Sequence, residues 1–394
     1  MRAVMDLVLF NFNDLSLILI IAQSLMLTVL FFQSSNPSQY KNLFLSAFLL
    51  TVAIETFDVL IYWCQPLKVH FFPENTHLFF VFKFMPLLQG PLLYWYTKSV
   101  IHSDFTITRK SLFHLLPTAL FPLYLFVIYG SLGMDNVHKS VNSYDILFNN
   151  VFYQILLWGQ KLSLLSYGCI CYWLLRHHNA ELEKNYSNIE DINSAWLRLL
   201  VGGFFVLWAW EFISQLSSLL FTNAMLSDKL GVLGNYFKFM LINALAFLSL
   251  SYASNTKQQP APNIAEKTAP PEPFSTAQAE TIVAAMEQKQ LYLNPELTLD
   301  QLAESADIPA RLVSTIINRS FNKNFFEFTN YYRIEHAKKL LSDEHSRLSI
   351  LDIMADAGFN SKSAFNRFFK KNTDMTPTQY RRSHAKKNTE APKN

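Results

Sequence analysis

The sequence is short of charge. Asp, Glu, Lys and Arg make up 16% of its 394 residues, whereas soluble proteins carry about a quarter. With 51% hydrophobic residues, the shortage excludes an ordinary water-soluble globule for at least part of the chain. The deficit is local: of 33 Lys and Arg, only fourteen precede Ser254. Phe, Tyr and Trp crowd the same half, among Leu and Ile in runs too long for ordinary core helices. Two solvents are implied. Cysteine is also scarce, and Cys64, Cys169 and Cys171 all lie in apolar stretches. Neither a disulfide frame nor a metal cluster is suggested, so no metal and no cofactor is expected. No small-residue cleavage site follows the first apolar run, which therefore reads as a retained helix. No catalytic motif with a confirming context is present, and an enzyme is not expected.

What is present begins with apolar runs of the length that crosses a bilayer, about 20 residues. Seven meet that test: Leu15 to Phe32, Leu43 to Cys64, Leu78 to Ile101, Leu112 to Tyr129, Ile146 to Leu175, Ala195 to Phe221 and Gly231 to Ala253. Pro86 and Pro91 interrupt the third, and Pro117 and Pro122 the fourth; inside a span they mark kinks more readily than ends. Lys and Arg in short loops favour the cytoplasm. Seven of them (Lys41, Lys98, Arg109, Lys110, Arg176, Lys184 and Arg198) fall in one set of loops, against four (Arg2, Lys68, Lys139 and Lys229) in the other. That bias puts the N-terminus outside and the C-terminus in the cytoplasm of a bacterial inner membrane.

Six ionisable residues lie within the expected spans: Glu55, Asp58, Lys83, Lys161, Glu211 and Lys238. A charge at mid-membrane costs about 2.5 to 3.5 kcal/mol even on insertion scales, so each needs a partner or water. Three are acids and three are bases, which permits full pairing. Glu55 and Asp58 share a helical face by their spacing. Two readings are open. One is a polar pocket between helices where a signal molecule changes the pairing. The other is a set of interhelical salt bridges, with Lys83 and Lys238 snorkelling towards the interface.

Residues 254–275 hold Pro260, Pro262, Pro270, Pro271 and Pro273 among polar residues. Such a segment cannot bury a core and reads as an extended linker. Beyond it the pattern becomes that of short amphipathic helices. Ser275 is placed to cap a helix running to about Gln290, with Ile282, Val283 and Met286 on one face. A short helix from Thr298, a turn at Asp307-Ile308-Pro309 and a helix from Ala310 to about Phe321 follow. Leu302, Ile308, Val313, Ile316 and Ile317 supply their shared core, and Ala303 lets them cross closely. Arg311, Ser314, Thr315 and Asn318 are left outside. The arrangement then recurs. Ser349 to Ala357 gives the short helix with Ala355 at the crossing, Gly358 the turn, and Ser361 caps Lys362 to Lys371. Phe365, Phe368 and Phe369 point inward, so Lys362, Ser363, Asn366, Arg367 and Lys370 face out. From Lys362 to Lys387 only Asp374 is acidic, an electrostatic footprint expected for phosphate contact. Phe325 to Leu341 reads as one connecting helix, able to hold two recognition helices in successive major grooves about 34 Å apart.

Residues from about 276 to 383 resemble the DNA-binding domain of the AraC/XylS family. The resemblance is carried by Leu302-Ala303, by Tyr332-Arg333-Ile334 with Ala337 and Leu340-Leu341, and by Gly358-Phe359-Asn360-Ser361 with Phe365, Arg367, Phe368 and Lys370. Thr376-Pro377 and Tyr380-Arg381 close the pattern. Asp307 and Asp374 depart from it, standing where the family usually has Gly; Asp reaches the left-handed conformation at some cost. The resemblance implies that Arg311, Ser314 and Thr315 face bases in one groove, and Lys362, Ser363, Asn366 and Arg367 in the next. Arg suits guanine and Asn adenine by bidentate bonds. Asn318, Lys370, Lys371, Arg381 and Arg382 are then candidates for the DNA backbone.

The expectation is an all-α chain: a seven-helix transmembrane bundle (residues 1–253), the linker, a double helix-turn-helix domain (276–383) and a polar tail (384–394). Its partners would be double-stranded promoter DNA, the lipid bilayer and an unidentified signal, with RNA polymerase and a second copy of the chain as further candidates. Besides a bundle that merely anchors the regulator near the membrane, the alternative is a transporter or intramembrane enzyme with a DNA-binding tail. Against it, seven spans do not divide into two equal repeats.

Overall fold

The computed structural model describes residues 11–33, 41–64, 67–68, 81–102, 105–140, 146, 149–188, 195–220, 224–254, 275–343 and 348–389. The expected linker between residues 255 and 274, the start of the third expected span and the last five residues of the tail lie outside them. The described chain is all-α, apart from one isolated antiparallel bridge between Tyr186 and Thr298. It divides into two compact units, residues 1–175 with 195–261, and residues 176–194 with 262–394.

The first unit contains α1 (Phe12–Gln33), α2 (Lys41–Trp63), α3 (Met85–Ile101), α4 (Phe121–Leu132), α5 (Met134–Ser140), most of α6 (Val151–Asn185), α7 (Ala195–Leu220) and α8 (Ala224–Ser254). Helix α1 packs on α2 and α8, α2 on α3, and α7 on α8. Their core includes Leu17, Ile20, Phe48, Val52, Phe204, Trp208 and Ile242. Hydroxyls inside this apolar packing bond to their own helix: Thr28 Oγ1 donates to the Ser24 carbonyl at 2.8 Å, and Thr56 Oγ1 to Val52 at 2.7 Å. Local bonding of this kind lets a polar side chain sit inside a helix bundle without a distant partner.

Among the described residues, five helical stretches are long and apolar enough to cross a membrane: Phe12–Gln33, Lys41–Trp63, Ser111–Leu132, Trp196–Ser217 and Asp228–Ser249. The third of these is broken, with a 3-10 turn at Ser111–Leu115 and one α turn at Leu116–Ala119 before α4. Pro117 and Pro122 each occupy the start of a new helical piece, where the missing N–H has no partner to lose. The other two expected spans differ for separate reasons. In the third, the described part starts with a 3-10 turn at Val81–Phe84 and continues as only 17 residues of α3, with Pro91 inside. The fifth falls in the 35-residue α6 only from Val151 onward, and there Gln154, Gln160 and Lys161 dilute the apolar run. Helices α3 and α6 approach closely at Gly90, where a Cβ would lie 2.4 Å from Tyr167 Cδ2. Any larger side chain there would have to displace the tyrosine ring.

The second unit is built from α9 (Thr276–Gln288), α10 (Leu299–Ala306), α11 (Ala310–Phe321), α12 (Phe325–Ser342), α13 (Ile350–Asp356), α14 (Lys362–Thr373) and α15 (Pro377–Thr389), together with the end of α6 from Arg176. Capping boxes at Ser275, Thr298 and Ser349 set the starts of α9, α10 and α13, each with reciprocal side-chain and backbone bonds. Ser361 caps α14. One apolar cluster joins α9 to α10 and α11 through Ile282, Met286, Leu302, Val313, Ile316 and Ile317. Another joins α12 to α13 and α14 through Ile334, Ala337, Ile353, Phe365 and Phe369. The inner face of α9 uses Ala285 with Ile282 and Met286, while Val283 is half-buried.

Candidate nucleic-acid interface

Two helix pairs repeat within the second unit, α10 with α11 and α13 with α14. Thr298 and Ser349 are their N-caps, and Ala306 and Ala357 are buried at the same place in each. The turns follow at Asp307, φ 53°, and Gly358, φ 81°. Both residues are left-handed, so one short bend turns the chain from the first helix into the second. In the second pair, the small residue at the helix crossing is Ala357; Ala355, expected there, is exposed. The hydrophobic period places Ala355 near the crossing, but the tighter approach comes one half-turn later, at the residue before the glycine. The departures at Asp307 and Asp374 are accommodated as expected, both left-handed, and Gln290 and Asn322 adopt the same conformation at other helix ends.

Helix α11 buries Leu312, Val313, Ile316 and Ile317. Arg311 and Asn318 are exposed, and Ser314 and Thr315 half-buried. Thr315 Oγ1 donates to the Arg311 carbonyl at 3.0 Å, and Asn318 Nδ2 to the Ser314 carbonyl at 2.9 Å. Helix α14 buries Ala364, Phe365, Phe368 and Phe369. That leaves Lys362, Ser363, Arg367, Lys370 and Lys371 exposed, with Asn366 half-buried beside them. The Arg367 guanidinium lies over the Phe368 ring, 5.4 Å from its centroid, a cation–π contact that orients a long side chain. Lys371 pairs with Glu327 at 3.0 Å. Arg382 is exposed, whereas Arg381 is half-buried and donates to the Leu348 carbonyl at 2.9 Å. Arg381 therefore ties α15 to the start of the second helix pair.

Helix α12 connects the pairs and carries a residue whose role sequence reasoning missed. Arg333 is 1% exposed. Its Nε donates to the Tyr292 carbonyl at 2.7 Å and its Nη2 to the Asn294 carbonyl at 2.8 Å. Ser187 accepts from Nη1 through its carbonyl at 3.1 Å and from Nη2 through its Oγ at 3.0 Å. Burial pushes the guanidinium pKa down to about 9. All these acceptors are neutral. The only cue in the sequence was the position of Arg333 within the family signature, because its partners lie 41 and 146 positions away.

The six expected membrane charges lie in the first unit and are brought together in pairs. Lys83 meets Asp58 at 2.5 Å, Lys161 meets Glu211 at 2.6 Å, and Lys238 meets Glu55 at 3.0 Å. Lys238 also lies 3.8 Å from the second oxygen of Glu211, linking two of the pairs. Gln89 Nε2 donates to Glu55 at 3.0 Å, and Gln160 donates to the Lys83 carbonyl. The result is a polar network inside an apolar bundle.

The helix-turn-helix domain family matches residues 302–383. The chain is 32% identical over 96 residues to the HTH-type transcriptional regulator YijO of Escherichia coli K12, which is 24% of this chain and 33% of that one. It is 37% identical over 86 residues to the melibiose operon regulatory protein of the same strain, 22% of this chain and 28% of the relative. An HTH-type transcriptional regulator of Staphylococcus aureus strain COL is 36% identical over 92 residues, 23% of this chain and 12% of the relative. The chain spans about a third or less of the length of these relatives. No solved structure matches. The C-terminal domain is an AraC-type helix-turn-helix domain.

Proposed function

We propose that this chain is a membrane-bound, one-component transcription regulator, which reads promoter DNA through α11 and α14 and is controlled by a signal at its helical first unit. The observation that carries the reading is the joining of two surfaces of opposite chemistry in one chain. On the second unit, exposed Lys and Arg are gathered on α14 and its flank. On the first, large apolar side chains face outward: Phe126 is 74% exposed, Phe247 71% and Leu123 65%. Outward apolar side chains in such numbers call for lipid, and clustered cations on a presented helix call for phosphate.

The division into a membrane domain over 1–253, a linker over 254–275 and a DNA-binding domain over 276–383 fits this reading, with one change. Residues 176–194, between the fifth and sixth expected spans, group with the DNA-binding domain. That grouping favours a cytoplasmic position for both, with the N-terminus outside. Arg311, Ser314, Thr315, Lys362, Ser363, Asn366 and Arg367 would face bases, and Asn318, Lys370, Lys371, Arg381 and Arg382 the backbone. RNA polymerase and a second copy of the chain are the partners such a regulator would meet at a promoter. The ion-paired network is where a polar signal would act, by exchanging one pairing for another. Glu211 touches both Lys161 and Lys238, so Glu211→Gln should silence the response while leaving membrane insertion intact. An unchanged reporter response would remove the network from the signalling route.

The function itself is tested by fractionation and DNA capture on the full chain. The protein should stay in the membrane pellet after alkaline extraction and enrich discrete promoter fragments after crosslinking. Recovery in the soluble fraction, or even recovery of all DNA, would overturn it.

A further inference from the structure

The end of α6 and the turn after it lie in the same compact unit as the DNA-binding domain, and they touch all three of its parts. Leu182 is fully buried in the cluster that holds Phe326 of α12, Ile353 of α13 and Phe365 of α14. Tyr186 forms the antiparallel bridge to Thr298, the N-cap of α10, and the Ser187 N–H donates to the Leu297 carbonyl at 3.1 Å. The Ser187 carbonyl accepts from Arg333 and also from Asn330 Nδ2, at 3.3 Å. Six consecutive residues thus meet the first helix pair, the connector and the core of the second pair.

At Arg333 the polar contact has no charge on the segment's side. Buried Arg333 is held by neutral acceptors, and Ser187 supplies its carbonyl and Oγ. Water can replace both when the segment leaves, so no uncompensated carboxylate is stranded. The segment also brings an acid towards the DNA-reading cations. Glu183 Oε2 accepts from Asn324 Nδ2 at 3.2 Å. Asn324 caps α12 by accepting from the Glu327 N–H at 2.8 Å, and Glu327 pairs with Lys371. Burial raises the Glu183 pKa, as does the Glu327 charge, while the Asn324 hydrogen bond, Arg367 and Lys371 oppose the rise. Glu183 and Glu327 thus meet at the Asn324 side chain, and Glu327 holds Lys371, a cation that DNA phosphate would need.

We propose that Leu182–Ser187 is an internal docking peptide for the DNA-binding domain, and that its docked form holds the reader back by adding the Glu183 charge beside the Asn324 cap and the Glu327–Lys371 pair. The proposal rests on the reading of the chain as a membrane-bound regulator, since it makes the end of α6 the element through which the first unit would act. Release would free α14 for DNA.

The test uses the full chain in membranes, with Cys64, Cys169 and Cys171 changed to Ser. Tyr186→Cys and Thr298→Cys are added together, and each alone as a control for loss of the Thr298 cap. Antiparallel partners have Cα atoms about 4.5 to 5.5 Å apart, within reach of a disulfide. Oxidation should join the two cysteines. Binding to promoter fragments enriched by the unmodified protein should then be about tenfold weaker than for the same protein reduced, an ordinary size for coupling between two sites. Glu183→Gln, which leaves every cap and Leu182 in place, should bind the same fragments about threefold more tightly, by removal of one opposing charge near the site. Failure to crosslink would overturn the docking. Equal or tighter binding by the oxidised form would overturn its restraining role. Failure of the unmodified chain to enrich any fragment would overturn the DNA-reading function instead, which separates the two failures.

Discussion

The two helix-turn-helix pairs share one backbone plan and differ in what they place on it. The first presents two cations on its reading helix, Arg311 and Arg319, with Ser314, Thr315 and Asn318 between them. The second presents Lys362, Arg367, Lys370 and Lys371. Since phosphate attraction scales with the number of cations engaged, the second pair should dominate affinity, and the first should contribute mainly through hydrogen bonding. Their turns differ in the same sense. Asp307 bears the left-handed conformation with a side chain, whereas Gly358 leaves no alternative, because a Cβ there would lie 2.6 Å from the Tyr292 carbonyl oxygen. One turn tolerates substitution, and the other is locked against the residues before the first pair.

The comparison can be broken most sharply at that lock. Gly358→Ala combines a left-handed backbone with a backbone clash, so it should cost about 3 kcal/mol of domain stability. Asp307→Ala should cost less, because the wild-type residue already carries a Cβ in that conformation. Chemical denaturation of the full chain in detergent, followed by hydrogen exchange at the domain's amides, would rank them; equal losses would contradict the difference. Next in size is the reading face. Arg367→Ala should weaken binding to the preferred fragment by roughly 1 to 3 kcal/mol and relax one base preference. Arg311→Ala should do the same at a different position of the site, with a smaller change in salt dependence. Equal weakening on every sequence would mean that Arg367 touches only phosphate.

A third comparison runs the other way. Asp307→Gly should stabilise the first pair by about 0.5 kcal/mol, the left-handed penalty less the entropy glycine loses on folding. A destabilised variant would show that the Asp307 side chain does more than occupy the turn. The smallest effect is at the caps. Gln301 closes the capping box of α10 and Asp352 that of α13. Hydrogen bonds from Ser349 hold the Asp352 carboxyl below its ordinary value of 3.8. Its folded pKa being depressed, Asp352 contributes stability above that ordinary value and loses it as pH falls through the lower folded one. Acid should therefore fray α13 before α10, as amide exchange would register; simultaneous fraying would place the acid sensitivity elsewhere.

Much of this was legible along the chain. Ser275, Ser349 and Ser361 announce their helices because a cap is a local device, read within four residues. Leu302, Val313, Ile316, Phe365 and Phe369 are placed by periodicity, which is also local. The arrangement around Arg333 was not, because its acceptors come from segments that only the tertiary fold brings together. The burial of Leu182 was hidden for the same reason: it lies beyond the expected span end at Leu175, a single leucine among Glu181, Glu183 and Lys184. Among the six charges of the expected spans, composition allowed full pairing, but only the fold shows which acid meets which base, and that Lys238 approaches two of them. The third and fourth expected spans were broken at prolines. Pro86 and Pro91 are visible as interruptions, yet whether a proline kinks a helix or starts a new one depends on whether its neighbours can satisfy the freed carbonyl.

In the proposed regulator, an apolar, lipid-seeking half is joined to two helix-turn-helix pairs that read DNA and are held by one connector. Footprinting of the full chain in lipid nanodiscs on a fragment it enriches tests this most directly. Two protected patches on one face of the duplex, about one helical turn apart, are expected, with the patch weakened by Arg367→Ala distinct from the one weakened by Arg311→Ala. A single patch, or one whose protection both substitutions weaken alike, would contradict it.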